Sequence, residues 1–306
     1  MTASASNQTI SYLGRRFAEA GIRLNPRHGQ NFLIDQNLLR LIVERAAVEE
    51  HDVVLEVGTG TGALTAMIAP RAAVVVTVEI DEELFQLAGE ELIAFKNVVA
   101  LGADALANKN HLNPQVVAAV QKELATAPDR RFKLVANLPY NVATPVMANL
   151  LGSSIVPHSM TVTVQKEVAK RMIAHAGSKD YGALSVWMQS QCRIELLRSL
   201  PPSVFWPSPR VNSAIVHIEL DHARRDAIAD RAFFHDFVRG LFLHRRKFLR
   251  GVLANAWKDT LDKATVDRIL GQERIDPDTR AEQLDVATIV RLADAVRRAV
   301  TDEKDD

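Results

Sequence analysis

The four residues Asn137-Leu138-Pro139-Tyr140 combine types that can do chemistry on a flat, amino-bearing molecule. The asparagine carbonyl oxygen accepts hydrogen bonds. The proline fixes its own φ at about −65° and holds Leu138 out of the helical region. The tyrosine adds a flat ring, so acceptors for N–H bonds stand beside a surface for the face of a base. A strand-like run, Phe132-Lys133-Leu134-Val135-Ala136, comes before, and a helix-like segment begins near Val142. Turns at the carboxyl ends of parallel strands are where open α/β sheets bind ligands. Alone, the tetrapeptide also reads as a tight strand–helix turn, so its meaning depends on what else reaches the same edge.

Three further groups reach it. Val53-Val54-Leu55-Glu56-Val57 is an apolar run of the kind buried in parallel sheets, and it leads into Gly58-Thr59-Gly60-Thr61-Gly62. A glycine turn there lets backbone approach a ligand, and the following helix start offers N–H donors. The spacing satisfies two patterns. Gly58, Gly60 and Ala63 fit the dinucleotide pattern G-x-G-x-x-G/A, while Gly58, Gly60 and Gly62 fit the Glu-x-Gly-x-Gly-x-Gly turn of methyltransferases. Glu79, ending the second strand, can accept from ribose hydroxyls in either case. Asp104, after the third strand, is placed to accept from the exocyclic amine of an adenine, and it equally suits a helix N-cap. Hydride transfer has no use for the Asn137 turn, whereas amine methylation does. S-adenosylmethionine is therefore the expected cofactor.

The elements that must position these residues alternate. Strands at 53–57, 74–78, 98–101, 132–136 and 160–164 are separated by helical segments, which predicts a parallel sheet with helices on both faces. Residues 1–22 read as a flexible N-terminal segment, 23–221 as the catalytic domain, and 222–306 as a small all-helical domain in which strands stop. The helical stretch near 114–125, with a weak apolar face, reads as part of a surface insertion at about 105–131. Phe205, before Trp206-Pro207, reads as core.

Composition sets outer bounds. The 306 residues are 47% hydrophobic, ample for a packed core, and no apolar run approaches the length of a membrane span. A single cysteine, Cys192, excludes an intramolecular disulfide framework and fits a reducing, cytoplasmic setting; its neighbours suit a small core residue better than a nucleophile. With 37 basic and 37 acidic residues the net charge is zero, so any nucleic-acid contact must come from a local basic face. The acid-free N-terminus fits an untargeted bacterial start better than a transit peptide. The nine histidines show no ligand spacing, so no metal is expected.

In sequence order these blocks resemble the ribosomal RNA adenine N6,N6-dimethyltransferases, the small-subunit enzymes linked to kasugamycin sensitivity. The resemblance runs from about Arg23 to the C-terminus. It rests on His28-Gly29-Gln30-Asn31-Phe32-Leu33, Leu55-Glu56-Val57-Gly58-Thr59-Gly60-Thr61-Gly62, Val78-Glu79-Ile80-Asp81, Gly102-Ala103-Asp104 and Asn137-Leu138-Pro139-Tyr140-Asn141. Later blocks are Val164-Gln165-Lys166-Glu167, Val204-Phe205-Trp206-Pro207-Ser208-Pro209-Arg210, Arg245-Arg246-Lys247 and Arg280-Ala281-Glu282-Gln283-Leu284.

The resemblance implies a Rossmann-like class I S-adenosylmethionine-dependent methyltransferase sheet with a helical C-terminal RNA-binding domain. It implies cofactor contacts at Asn31, Leu33, Gly58, Gly60, Glu79, Asp104 and Asn137. Catalytic roles fall to Asn137, Leu138, Pro139 and Tyr140, with Phe205 as a second stacking face. Thr59 departs from the proline usual in the family's glycine turn. RNA contacts are expected at Arg23, Arg27, Lys166, Lys170, Arg171, Arg245, Arg246 and Lys247, with Arg250 beside the last three. The expected activity is dimethylation of N6 on two adjacent adenines in a 3'-terminal hairpin of small-subunit ribosomal RNA, by a monomer acting on the assembling 30S particle. Three alternatives stay in view: a macrolide-resistance-type enzyme acting on large-subunit RNA, a non-catalytic assembly or transcription factor on the same fold, and an NAD-dependent oxidoreductase.

Overall fold

The computed structural model describes residues 10–22, 30–244, 247–258 and 260–305. The chain forms two units, one of Met1–Ala169 with Glu195–Glu219 and the other of Lys170–Ile194 with Leu220–Asp306. The expected single boundary at 221/222 therefore needs correction, because residues 170–194 leave the first unit for the second.

The first unit opens with α1 (Ile10–Ala20), where a flexible segment was expected. The helix is amphipathic: Leu13 and Phe17 are buried, and they share a cluster with Phe32, Leu84 and Leu87. The two-residue strand β1 (Phe32–Leu33) leads to α2 (Gln36–Ala46). Asp35 caps α2 by accepting from the backbone N–H of Asn37 and Leu38, and Leu38, Leu39, Ile42, Val43 and Ala46 form its buried face.

Then strands and helices alternate: β2 (Asp52–Val57), α3 (Ala63–Ile68), β3 (Val74–Glu79), α4 (Glu82–Leu92) and β4 (Val98–Gly102). A hairpin of β5 (Leu106–Asn108) and β6 (His111–Leu112) precedes α5 (Pro114–Leu124). Next come β7 (Arg131–Asn137), α6 (Ala143–Gly152), β8 (Ser159–Gln165) and α7 (Lys166–Ile173). In the segment expected to be a surface insertion, α5 buries Val116 and Val120 at 1% and 0% exposure and packs on β2, β3 and β7. It is the crossover helix between β4 and β7. The apolar pair at i and i+4 suffices because the rest of the helix faces away from the sheet.

Beyond α8 (Ala183–Gln189), the strands β9 (Cys192–Leu200), β10 (Phe205–Trp206) and β11 (Ser213–Leu220) complete the β structure. The seven-stranded sheet has the order β4-β3-β2-β7-β8-β11-β9. Neighbours from β4 through β8 run parallel, and β11 runs antiparallel to β8. The chain leaves β2 toward β3 and β4, then crosses back to β7 on the other side, so the order reverses between β2 and β7. That reversal opens a crevice at the carboxyl ends of the strands. At the opposite ends, Lys133 pairs with Asp52 at 2.8 Å and donates to the carbonyls of Ala46 and Ala47, closing α2.

The second unit is helical, with α8 joined by α9 (His222–Asp226), α10 (Arg231–Leu243), α11 (Leu249–Ala256), α12 (Lys263–Gln272) and α13 (Val286–Asp305). Leu184, Ser185, Val186, Trp187 and Met188 of α8 are all buried. The Trp187 ring stacks on Phe234 of α10, with centroids 6.1 Å apart. The Tyr181 hydroxyl donates to the Leu284 carbonyl at 2.9 Å. Cys192 is buried, and desolvation pushes its thiol up to about 12, which leaves it inert as a nucleophile. Among the described residues, no helix is long and apolar enough to cross a membrane.

Candidate functional site

The crevice at the carboxyl ends of β2, β3, β4 and β7 holds about 790 Å³ of space, part of it open to solvent, within the size range of small-ligand sites. Its walls come from the turns that follow these strands. After β2, Gly58 and Gly60 take φ of +86° and +56°, which L side chains rarely adopt. A Cβ on Gly58 would lie 3.1 Å from the Pro139 ring, and one on Gly60 would lie 3.0 Å from the Phe32 ring. The turn is docked on the sheet by the N–H groups of Gly58 and Thr59, which donate to the Val78 carbonyl.

Glu79 ends β3 at 5% exposure. Its Oε2 accepts from the Gly60 N–H at 2.8 Å and its Oε1 from the Asp81 N–H at 3.1 Å. Burial raises its carboxyl above the ordinary range, and these N–H donors oppose the rise. The Ile80 N–H also donates to this carboxylate, so of its roughly four acceptor sites about one is left for a ligand hydroxyl. Asp104 follows β4 on the same wall. One of its oxygens accepts from Leu106 N–H at 2.9 Å, so it stabilises its own turn, and no helix begins on it. Ile80, Leu84, Ala103 and Ala105 line the same cleft. It therefore offers apolar wall together with a carboxylate acceptor, a setting for a flat heterocycle carrying an amine.

The turn after β7 supplies the third wall. Asn137 Nδ2 donates to the backbone carbonyl of Asn31 at 2.8 Å, which orients the amide and leaves Oδ1 with no partner among the described residues. The Pro139 carbonyl already accepts from Val142 and Ala143, opening α6. Of the two backbone carbonyls the sequence offered as acceptors, Leu138's is thus the one without a partner among the described residues. The Tyr140 hydroxyl lies 2.5 Å from Ser213 Oγ, and burial raises its pKa while Ser213 opposes.

Asn31, Gly58, Gly60, Glu79, Asp104, Asn137, Leu138, Pro139 and Tyr140 are thus brought to one cleft. Two expected residues are not. Leu33 is 6% exposed within the core, because successive strand residues face opposite sides and Phe32 takes the cleft side. Phe205 pairs directly with Leu33 across β1 and β10, so it shares that core-facing side at 2% exposure. The expectation of Phe205 as a second stacking face is corrected accordingly. Sequence reasoning missed Gln30, Phe32 and Ile80 on the cleft wall. The aromatic in Asn31-Phe32-Leu33 was the only signal for them.

Of the basic residues expected to meet RNA, Lys166, Lys170 and Arg171 lie on α7, the last two exposed, and Lys247 is exposed. Arg23, Arg27, Arg245 and Arg246 lie outside the described residues. Arg250 forms contacts of 2.5 and 2.7 Å with Asp267, so its charge is already matched.

A family model described as Ribosomal RNA adenine dimethylase matches residues 21–294. The chain is 36% identical over 284 residues to a "Ribosomal RNA small subunit methyltransferase A" of Halothermothrix orenii, covering 92% of this chain and 91% of that one. It is 39% identical over 269 residues to a protein of the same name from Levilactobacillus brevis, covering 87% and 88%. In fold, it matches a dimethyladenosine transferase from Plasmodium falciparum with a TM-score of 0.69 at 22% identity, over 84% of this chain and 94% of that one. It also matches the 23S rRNA methyltransferase ErmE with a TM-score of 0.60 at 22% identity, over 87% and 100%.

Proposed function

The chain belongs to the ribosomal RNA adenine dimethylase family, enzymes that use S-adenosylmethionine on a class I methyltransferase fold, and we propose that it dimethylates N6 of two adjacent adenines in a 3'-terminal hairpin of small-subunit ribosomal RNA. It acts as a monomer in the cytoplasm, on the assembling 30S particle. The relatives of 36–39% identity, all named for the small subunit, support this over a large-subunit target.

The cleft fits the cofactor on its own geometry. Gly58 and Gly60 hold positive φ where a Cβ would press on the Pro139 and Phe32 rings of the cleft wall, Glu79 offers an acceptor for a ribose hydroxyl, and Asp104 lines the cleft with the apolar Ile80, Leu84, Ala103 and Ala105, a setting for adenine. When bound, S-adenosylmethionine supplies a methyl activated by sulfonium, and the departing thioether needs no proton.

The chain's own task is to hold and shape the acceptor nitrogen. Adenine N6 is a weak nucleophile because its lone pair is delocalised into the ring, so position and pyramidal geometry matter more than a base. The observation that carries the reading is the anchored Asn137 amide next in sequence to the Leu138 carbonyl, which has no partner among the described residues. These two oxygens accept the two N6 hydrogens and draw the nitrogen out of plane. Tyr140 stacks on the base extruded from the RNA. As the N–C bond forms and the S–C bond breaks, N6 becomes positively charged and releases one proton to solvent; one N–H then remains, and one acceptor still holds it for the second transfer. Lys166, Lys170, Arg171 and Lys247, with Arg23, Arg27, Arg245 and Arg246, meet phosphates, which position the RNA without specifying its sequence. Nucleoside analysis of small-subunit RNA treated with the protein and cofactor tests the reading: N6,N6-dimethyladenosine is expected, and a product limited to another base contradicts it.

A further inference from the structure

Phe248 lies in the second unit, directly after the basic run 245–247 in sequence, and it is 49% exposed. A lone exposed apolar side chain is ordinary. Here three features coincide. Phe248 is the only aromatic residue among the large exposed hydrophobics of the described residues. The guanidinium carbon of Arg280 sits 5.8 Å from its ring centroid, a cation–π distance. Its backbone is held firmly, since Phe248 precedes α11, its carbonyl accepts from Val252 at 3.1 Å, and Leu249 N–H donates to Thr279 at 2.8 Å. The ring is thus a presented surface on a fixed backbone.

From this geometry we propose that Phe248 and Arg280 form a stacking platform for an unpaired base of single-stranded RNA, with Lys247 and Arg280 meeting the adjoining phosphates. An aromatic face takes any base, and a cation beside it favours a polyanion. Asp276 and Asp278 stand on the neighbouring turn, where Asp276 accepts from the Asp278 N–H, and Arg250 is occupied by Asp267. Among the described residues, Lys247 and Arg280 are then the cations offered to the platform. The proposal rests on the RNA-substrate reading above and adds a contact remote in sequence from the Asn137 turn.

The test uses the full chain and a short single-stranded RNA carrying one 2-aminopurine, whose fluorescence falls on stacking. Wild type is expected to quench it. Phe248→Ala and Phe248→Leu are both expected to lose quenching and to bind about 5- to 150-fold more weakly, the worth of one stacked base. Phe248→Trp should restore both. Leucine preserves apolar packing, so a purely structural side chain would be rescued by it and the platform is not. Arg280→Gln should lower the slope of log affinity against log salt by about 0.7, whereas Phe248→Leu leaves the slope unchanged. Wild-type binding and quenching in Phe248→Leu overturns the platform, as does weaker binding by the variants with no quenching in wild type, the behaviour of a protein-facing side chain. Methylation of small-subunit RNA is scored on the same preparations. If wild type methylates and Phe248→Leu behaves like it, only the platform fails; a wild type that neither binds nor methylates RNA removes the functional reading as well.

Discussion

Asn137 Nδ2 donates to the backbone carbonyl of Asn31 at 2.8 Å, joining two residues 106 positions apart. An amide held by its nitrogen has one orientation for its oxygen, so the acceptor for N6 is set before substrate arrives. Asn137→Ala should lower methyl transfer on the order of 100-fold or more, because misplacing a reacting atom by an ångström carries such a cost. Cofactor affinity, measured by calorimetry, should stay within several-fold. Asn137→Asp keeps an oxygen but loses the donor to Asn31, and it should be nearly as slow. Normal turnover in Asn137→Ala would remove the residue from the mechanism.

Tyr140 and Ser213 form the second such pair, with Ser213 fully buried on β11. The ring is needed for stacking and the hydroxyl contact for aim. Tyr140→Ala should therefore lose far more kcat/KM than Tyr140→Phe, by about 5- to 150-fold. Ser213→Ala should resemble Tyr140→Phe, and Ser213→Thr should recover. Equal rates for Tyr140→Ala and Tyr140→Phe would show that the ring does not meet the base.

Gly60→Ala places a Cβ at a φ of +56° and 3.0 Å from the Phe32 ring. The backbone strain alone corresponds to about tenfold in an equilibrium, and it falls on the turn that donates to Glu79. Cofactor affinity should drop by at least that factor. Gly177→Ala is the control: its φ is +81° with no atom within 4 Å of the added Cβ, and it does not line the cleft. It should lower the melting temperature and spare cofactor binding. Equal cofactor affinity in Gly60→Ala and wild type would refute the cradle.

Glu56 lies beneath the glycine turn, and its Oε2 accepts from the hydroxyls of Thr65 and Thr77. Thr77's single proton is spent on Glu56, so Thr59 of the turn donates to Thr77 at 2.6 Å. Burial raises Glu56 from 4.5 to about 8 against these hydroxyls. The unfolded chain releases this proton above about pH 4.5, whereas the folded chain keeps it until about 8. Stability should fall as pH rises through that window and be level on either side as far as this group is concerned. Glu79 is raised also and adds in the same sense. Thermal unfolding at about pH 5 and about pH 8.5 should show a smaller loss for Glu56→Gln than for wild type; parallel losses would contradict the assignment.

Much of the site was legible because its residues end apolar runs. Gly58 follows the buried strand β2, Glu79 and Asn137 end β3 and β7, and Asp104 follows the half-exposed edge strand β4; parallel strands bring their carboxyl ends to one edge by topology alone. What was hidden depends on pairing between distant segments. Phe32 and Phe205 belong to two-residue strands without periodicity, and only their register, with Leu33 opposite Phe205, decides which ring faces the cleft. The N-terminal helix looked unstructured because Leu13 and Phe17 offer too few apolar residues to identify a partner. Residues 170–194 joined the second unit because α8 is buried on every side, and such a helix does not disclose its neighbour.

The most direct test of the central claim incubates labelled S-adenosylmethionine with unmethylated 30S and 50S particles, using wild type and Asn137→Ala side by side, and maps the modified bases. The expected result is label on 30S particles as N6,N6-dimethyladenine at two adjacent positions with wild type, and none with the variant. Label on 50S particles alone, or equal label from the variant, would contradict it.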